Sequence, residues 1–253
     1  MIRPAAVTAL FILWMSATPA AARQGCFANW FCITTDKAGQ IQAFRQRPHP
    51  VVVTLYSRQL TRPVTVSLTD DTLYPLGEVS DPAAFWPQMQ VKWTAGRLNA
   101  KHDDTARYAY PLQPTNRYPV VQGNNGAFSH QGRSRYALDF AAPVGTPVLA
   151  ARAGTVIDLQ QSYNKGGPSA DYARYANYVV VLHRDGTTGE YYHLKYRGAA
   201  VRIGQRVNTG ALLGYSGNTG FSSLPHLHFA VYKALPDGQY QSLPFRFAST
   251  PSK

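Results

Sequence analysis

The residues of this sequence best suited to chemistry are its histidines, of which there are seven. Two of them stand one residue apart in the segment Pro225-His226-Leu227-His228-Phe229. Side chains at positions i and i+2 of a β-strand lie on the same face, so both imidazoles can reach one small site while Leu227 and Phe229 face a core. Such a pair can bind a metal ion or transfer protons, and hydrogen-bonded structural histidines are the alternative.

Two further segments carry groups of the same kind. Glu190-Tyr191-Tyr192-His193-Leu194 is strand-like, and alternation predicts that His193 shares a face with Tyr191. Earlier in the chain, His130 is followed by Asp139. Imidazole and carboxylate are both suitable zinc ligands. Taken singly, each segment is also compatible with a structural role.

In this order, the three segments resemble the lysostaphin-type zinc metallopeptidases, a family of peptidoglycan endopeptidases. The family is characterised by three motifs in chain order: a His and an Asp first, then a strand with Tyr-x-His-Leu, and finally a strand with His-x-His. Four further segments, which contain Gly, Pro and Thr at characteristic places, also match the family pattern: Asp139–Val148, Ala153–Val156, Gly204–Val207 and Gly214–Gly220. The resemblance covers residues 120–235 and leaves out the N-terminal region.

The resemblance implies that His130, Asp139 and His228 hold a zinc ion and that His193 and His226 stand beside the water it activates. Two neutral imidazoles and one carboxylate would leave the ion positively charged with an open fourth position. His193 and His226 would then act as general acid and base, in roles that the sequence does not divide between them. The implied activity is hydrolysis of peptide crosslinks in bacterial peptidoglycan.

The spacing of the first two implied ligands departs from the commoner family pattern. There the aspartate follows the histidine by four residues, a position that Ser134 occupies here. The Pro-x-Gly-Thr-Pro segment keeps its register from Asp139, which indicates an insertion between the two ligands. We therefore expect Asp139, and not Ser134, to be the ligand.

Three rival functions remain open at the level of sequence. A glycoside hydrolase needs two carboxylates facing each other across the scissile bond, and Asp158, Asp171 and Glu190 show no motif for this. A non-catalytic wall-binding activator of the same fold should have lost site residues, whereas all five are present. A zinc protease acting on secreted proteins would use the same chemistry.

The other histidines are predicted to lie outside the site. His183 precedes a turn and is expected to face solvent. His49 and His102 lie outside the resemblance, and His102-Asp103-Asp104 is interpreted as a solvated linker.

The elements that must position these groups are short strands, so we predict an all-β, mainly antiparallel fold with few and short helices. In the C-terminal part the candidates are Pro147–Ala150, Gly154–Leu159, Tyr178–Leu182, Glu190–Leu194, Ala211–Tyr215 and His226–Tyr232. Arg184-Asp185-Gly186 and Ser216-Gly217-Asn218 are interpreted as hairpin turns. The long segment Gln160–Asn177 is predicted to be a functional loop, whose Tyr163, Tyr172 and Tyr175 either line a substrate groove or simply pack.

A smaller β domain is predicted at residues 23–105, ahead of the peptidase-like domain at 106–253. Its strand candidates are Val51–Tyr56, Pro63–Leu68 and Met89–Trp93, and residues 23–50 show few periodic signals. This domain could position the enzyme on its polymer, cover the groove or stabilise the fold. The only cysteines, Cys26 and Cys32, are expected to form a disulfide, with free thiols as the alternative.

Residues 1–22 have a positive start, an apolar run and Ala20-Ala21-Ala22, so we predict a signal peptide cleaved near Ala22 and a secreted or periplasmic protein without a stable membrane anchor. The formal charge is +12, which indicates either an anionic partner, such as a cell-wall polymer or lipid head groups, or only a contribution to solubility. Lys and Arg are scattered, so nucleic acid is not the expected partner. The sequence does not determine the oligomeric state, and a monomer is favoured.

Overall fold

The computed structural model describes residues 23–113 and 118–248. The described chain forms two compact units. The N-terminal unit contains the described residues up to Leu98 together with Ala234–Gln239. The C-terminal unit contains the described residues of Asn99–Lys233 and those from Tyr240 to Ala248. The predicted signal peptide lies outside the described residues, and the domain limits at 23–105 and 106–253 stay a prediction. None of the described helices is both long and apolar enough to cross a membrane.

The N-terminal unit is built from two antiparallel sheets and one short helix. The elements are β1 Arg23–Phe27, β2 Phe31–Thr35, β3 Gln40–Arg45, β4 Val51–Tyr56, β5 Val64–Leu68, β6 Tyr74–Glu78, α1 Pro82–Gln88 and β7 Gln90–Ala95. The first sheet has the order β1-β2-β3-β6 and the second has the order β5-β4-β7. Asp81 caps α1 by accepting a hydrogen bond from the Ala84 amide.

The sequence interpretation missed the strands β1, β2 and β3. Cys26 and Cys32 face each other across the β1–β2 hairpin and form a disulfide. The hairpin turns at Ala28 and Asn29, which both adopt positive φ. A turn of this kind is usually signalled by Asn-Gly, so Ala-Asn gave no recognisable signal.

The C-terminal unit is also mainly antiparallel, as predicted. Its strands are β8 Arg107–Tyr108, β9 Val120–Gln122, β10 Leu138–Ala141, β11 Pro147–Leu149, β12 Gly154–Gln160, β13 Gly166–Gly167, β14 Tyr178–Leu182, β15 Thr188–Tyr192, β16 Leu194–Ala199, β17 Arg206–Val207, β18 Leu212–Ser216, β19 Gly220–Phe221, β20 His226–Ala234, β21 Tyr240–Leu243 and β22 Arg246–Phe247. The main sheet has the order β17-β12-β14-β15-β20-β10-β9, and β21 also pairs with β20. A second sheet has the order β11-β18-β16, and two short parallel pairs join β13 to β19 and β8 to β22. Two 3-10 helices span Gly132–Ser134 and Ala170–Tyr175.

The core of this unit lies on one face of β20 and β15. Leu227 and Phe229 are fully buried in it, as alternation predicted, and Tyr191 from β15 packs 5.0 Å from the Phe229 ring. Each such apolar side chain contributes about 1.5–3 kcal/mol on burial. The core therefore holds β20 firmly in register and leaves its opposite face to His226 and His228.

Of the two predicted hairpin turns, only one joins paired strands. The segment Arg184–Gly186 connects the antiparallel neighbours β14 and β15. The segment Ser216–Asn218 instead leads from β18 to β19, which belongs to a different sheet, so that prediction was wrong. A Cβ on Gly217 would lie 2.5 Å from the backbone nitrogen of Lys195, so the glycine serves a close backbone approach.

Candidate metal and catalytic site

Three donor groups from separate parts of the C-terminal unit converge beside β20 and β10 of the main sheet. Asp139 on β10 and His228 on β20 are direct cross-strand partners. His130 comes from the loop before β10, and its Nε2 lies 3.1 Å from Asp139 Oδ1 and 3.2 Å from His228 Nδ1. The third side of the triangle, from His228 Nδ1 to Asp139 Oδ1, measures 2.7 Å.

The size and chemistry of this triangle suit one divalent metal ion. Zinc bound tetrahedrally at about 2.0–2.1 Å holds its donors about 3.3 Å apart, close to two of the three separations found here, and the third is shorter. All three side chains are buried, with exposed fractions of 0% for both histidines and 5% for Asp139. Two imidazoles and one carboxylate are a ligand set that zinc accepts while leaving a position free. The residues present therefore fit such an ion.

Polar contacts outside the triangle orient the first two donors. His130 Nδ1 lies 2.9 Å from the Gly123 carbonyl oxygen, which can only accept, so Nδ1 carries the proton. When the ring is neutral, the Nε2 lone pair is therefore directed to the triangle. Asp139 uses its other oxygen, Oδ2, to accept a hydrogen bond from Gln122 Nε2 at 2.9 Å. Contacts of this kind fix a ligand's orientation and tautomer.

His193 reaches the site by a route that strand alternation did not predict. β15 ends at Tyr192, and His193 follows with φ 68° in the left-handed region. The Tyr191 side chain lies in the hydrophobic core, whereas His193 packs with its ring 4.4 Å from that of His226. The prediction that His193 shares a face with Tyr191 was therefore wrong. The left-handed backbone conformation of His193 interrupts the alternation of side chains at this residue.

His193 and His226 both present a ring nitrogen with a free lone pair. His193 Nδ1 donates to the Thr219 carbonyl at 2.6 Å, and its buried Nε2 has no hydrogen-bond partner among the described residues. His226 Nδ1 lies 2.8 Å from the Leu224 carbonyl, and its Nε2 lies 3.8 Å from Asp139 Oδ1. When either ring is neutral, Nε2 is therefore the nitrogen able to accept a proton.

Burial governs the electrostatics of the cluster. It lowers the pKa of His228 to about 4 and lowers the pKa of His193 well below its ordinary value, with the nearby imidazoles adding to the effect on His193. Burial would raise the pKa of Asp139, but its contacts with His130 and His228 hold that pKa below its ordinary value. Near neutral pH, His193 and His228 are thus uncharged beside an ionised carboxylate.

Ser134 is not part of the donor triangle. Its Oγ accepts a hydrogen bond from the Tyr232 hydroxyl at 3.2 Å, and that hydroxyl lies 3.3 Å from His228 Nε2. Sequence reasoning missed Tyr232 and also missed Gln122. Tyr232 was detectable in principle, since it lies four residues after His228 on one strand and so faces the same side. Gln122 gave no such local signal.

The remaining histidines lie outside the cluster, and two of them differ from expectation. His183 is buried, not solvent-exposed, because its Nδ1 donates to the Ala153 carbonyl at 3.0 Å and its ring packs against Tyr108. The His102 ring is largely buried as well, between contacts to Asp104 and Tyr108, although Asp104 itself is exposed. The solvated-linker interpretation was therefore wrong for His102.

The long segment Gln160–Asn177 contains β13 and a 3-10 helix, and its tyrosine rings pack on one another. Tyr175 lies 5.4 Å from Tyr163 and 6.3 Å from Tyr172. Tyr172 and Tyr175, together with Lys165 and Arg174, line a surface cavity of about 580 Å³. Its use as a substrate groove stays a prediction.

Residues 133–242 match the family model described as Peptidase family M23. Lysostaphin from Staphylococcus staphylolyticus is 32% identical over 133 residues, which cover 51% of this chain and 24% of that protein. The peptidoglycan DD-endopeptidase ShyA from Vibrio cholerae is 38% identical over 141 residues, which cover 54% and 30%. The chain thus spans less than a third of the length of these relatives.

Among solved structures, that of the antimicrobial peptidase lysostaphin from Staphylococcus simulans aligns with 27% identity and a TM-score of 0.39. The alignment covers 54% of this chain and 52% of that one.

Proposed function

Because residues 133–242 form a domain of peptidase family M23, we propose that this chain is a zinc-dependent endopeptidase that hydrolyses the peptide crosslinks of bacterial peptidoglycan. One observation carries the proposal. Two imidazole nitrogens and a carboxylate oxygen meet in a buried triangle with sides of 2.7–3.2 Å, beside two further imidazoles. A cation among these donors offsets the cost of gathering them away from water.

His130, Asp139 and His228 would hold the zinc ion through Nε2, Oδ1 and Nδ1, the atoms that form the triangle. A bound zinc ion supplies Lewis acidity, which polarises a carbonyl oxygen and lowers the pKa of water. Gln122 keeps the Asp139 carboxylate turned so that Oδ1 faces the imidazoles. The Gly123 carbonyl keeps the His130 lone pair directed to the same point.

His193 and His226 would move the protons of hydrolysis. Either Nε2 can accept a proton from the attacking water as its oxygen bonds to the scissile carbonyl carbon. When the C–N bond breaks, the leaving nitrogen takes a proton from an imidazolium and departs as an amine. Burial keeps His193 neutral near pH 7, as this base role requires, and the Thr219 carbonyl fixes its tautomer.

The substrate assignment rests on the relatives and on charge. ShyA is named a peptidoglycan DD-endopeptidase, and the protein ALE-1 of Staphylococcus capitis, 36% identical over 100 residues, is named a glycyl-glycine endopeptidase. Both bonds are amides, so the same chemistry serves either. The formal charge of +12 would favour association with an anionic wall polymer.

The proposal includes export and action as a monomer outside the cytoplasm. The predicted signal peptide at residues 1–22 and the disulfide between Cys26 and Cys32 both suit an oxidising compartment.

Two alternatives share the same site, namely a non-catalytic wall-binding activator and a zinc protease acting on secreted proteins. A glycoside hydrolase is not favoured, because the buried Glu190 carboxylate already accepts hydrogen bonds from Thr188 and Tyr192. Asp158 likewise accepts one from Tyr178.

The deciding experiment combines zinc analysis with digestion of purified peptidoglycan. The parent protein should contain close to one zinc per chain and release uncrosslinked muropeptides, and exhaustive chelation should stop this release. Asp139→Ala and His228→Ala should lose both zinc and activity, whereas Asp158→Asn, a matched carboxylate control, should keep both.

Other outcomes of the same digestion identify the alternatives. New sugar reducing ends would indicate a glycosidase, and cleavage of denatured protein but not of peptidoglycan would indicate a general protease. A zinc-loaded parent that cleaves neither would support the activator.

A further inference from the structure

A buried chain of hydrogen bonds extends from His228 away from the donor triangle. His228 Nε2 lies 3.3 Å from the Tyr232 hydroxyl, which donates to Ser134 Oγ at 3.2 Å. His228, Tyr232 and Ser134 have exposed fractions of 0%, 3% and 1%. Water therefore has little access to replace any member of the chain.

The direction of these bonds favours one position of the His228 proton. A phenol has one hydrogen, and donating it to Ser134 leaves the Tyr232 oxygen as an acceptor toward His228. In the tautomer with its proton on Nε2, the neutral imidazole donates to that oxygen. Its lone pair is on Nδ1, which is the atom that faces Asp139 and His130.

We propose that Tyr232 and Ser134 are a positioning pair that holds His228 in its metal-binding tautomer. The inference rests on the proposed zinc site. It also assigns a role to Ser134, which occupies the position where the commoner sequence pattern has a ligand but here acts on the metal site only through Tyr232.

Loss of the Tyr232 hydroxyl should weaken metal binding by the donor triangle of His130, Asp139 and His228. Nε2–H would lose its acceptor, whereas a proton on Nδ1 has the Asp139 carboxylate oxygen 2.7 Å away. The imidazole proton would therefore favour Nδ1 and occupy the lone pair that zinc requires. Metal binding would then have to move that proton back to an unpaired, buried nitrogen.

The test measures the zinc dissociation constant at pH 7 by competition with a chromophoric chelator. Tyr232→Phe should weaken zinc binding about 10–100-fold, the range found for such outer contacts. Ser134→Ala should weaken it less, and the double variant should match Tyr232→Phe alone, because Ser134 acts through Tyr232. Additive losses, or unchanged affinity in Tyr232→Phe, would overturn the proposal.

Tyr240→Phe is the matched control. Tyr240 is a buried tyrosine of the same small cluster, with its ring 5.2 Å from that of Tyr232, and the change removes a hydroxyl but none of the three groups of the chain. Its zinc affinity should equal that of the parent. An equal loss in both tyrosine variants would point to packing alone and contradict the proposal.

Nitrogen-15 NMR of the His228 imidazole in metal-free protein separates this inference from the proposed function. The fraction of His228 imidazole that is protonated on Nε2 should be larger in the parent than in Tyr232→Phe, or than in Ser134→Ala if the tyrosine variant does not fold. If the parent binds no zinc but Tyr232→Phe still shifts the His228 tautomer, the result would refute the zinc site and support the positioning role of Tyr232 and Ser134. An unchanged tautomer would refute the pair whatever the zinc result.

Discussion

Replacing His183 by asparagine should reduce the loss of stability that the C-terminal unit undergoes in mild acid. His183 is buried, and burial lowers the pKa of its imidazole to about 4. In the unfolded chain the pKa is about 6.5, so between these two values the unfolded state binds a proton that the folded state does not. The part of the unfolding free energy that depends on neutral His183 is therefore fully present above about pH 6.5 and is lost as the pH falls toward 4.

The magnitude follows from the difference between the two pKa values. Each pKa unit corresponds to about 1.4 kcal/mol, so protonation of this one side chain removes about 3 kcal/mol of unfolding free energy between pH 6.5 and pH 4. Asparagine retains a nitrogen donor for the Ala153 carbonyl, which His183 Nδ1 contacts at 3.0 Å. It does not titrate, so its cost should be the same at every pH.

Urea unfolding followed by near-ultraviolet circular dichroism of the tyrosines provides the assay. The four tryptophans all precede residue 99, so their fluorescence is not a signal from this unit. Parent and His183→Asn proteins are compared at equal zinc loading, and pH 7.5 serves as the internal control for the constant cost of the substitution. The reasoning is refuted if the two proteins lose the same unfolding free energy on acidification.

Three further predictions concern the site. His193→Ala should retain zinc but lose about 10²–10⁴-fold in kcat on peptidoglycan, the range for a general acid or base, and activity within a few-fold of the parent would rule out its role. Gly220→Ala should destabilise the C-terminal unit by about 2–4 kcal/mol in urea, because Gly220 has φ +80° and a Cβ would lie 2.7 Å from the Ala176 Cα; an unchanged urea midpoint would contradict this. Gln122→Ala should weaken zinc binding about 10-fold or more by releasing Asp139 Oδ2, and an unaltered dissociation constant would show that this contact does not orient the carboxylate.

The local geometry of β20 was predictable from sequence. Alternation placed Leu227 and Phe229 in the core and His226 and His228 on the opposite face, and the structure confirms this arrangement. The short, β-branched runs between Gly and Pro residues likewise predicted an antiparallel β fold. These inferences succeed because backbone geometry alone decides which side of a strand a residue occupies.

Local reasoning failed where the backbone departs from regular geometry. His193 leaves the alternation of β15 through a positive φ, which nothing in Tyr191-Tyr192-His193-Leu194 signals. His183 was expected in solvent because it precedes a turn, yet the Ala153 carbonyl and the Tyr108 ring enclose it. In both cases the group that holds the imidazole is distant in sequence: the Thr219 carbonyl for His193 and the Ala153 carbonyl for His183.

The sequence by itself therefore determined which side chains can bind a metal or carry a proton and, through strand alternation, which neighbours face one way. Only the tertiary structure decided that His130 and His228, which are 98 positions apart, place their ring nitrogens 3.2 Å from each other. It also decided that Ser134 reaches the site through Tyr232. The physical reason is that convergence depends on the order and register of strands in the sheet, and burial of the whole core sets these.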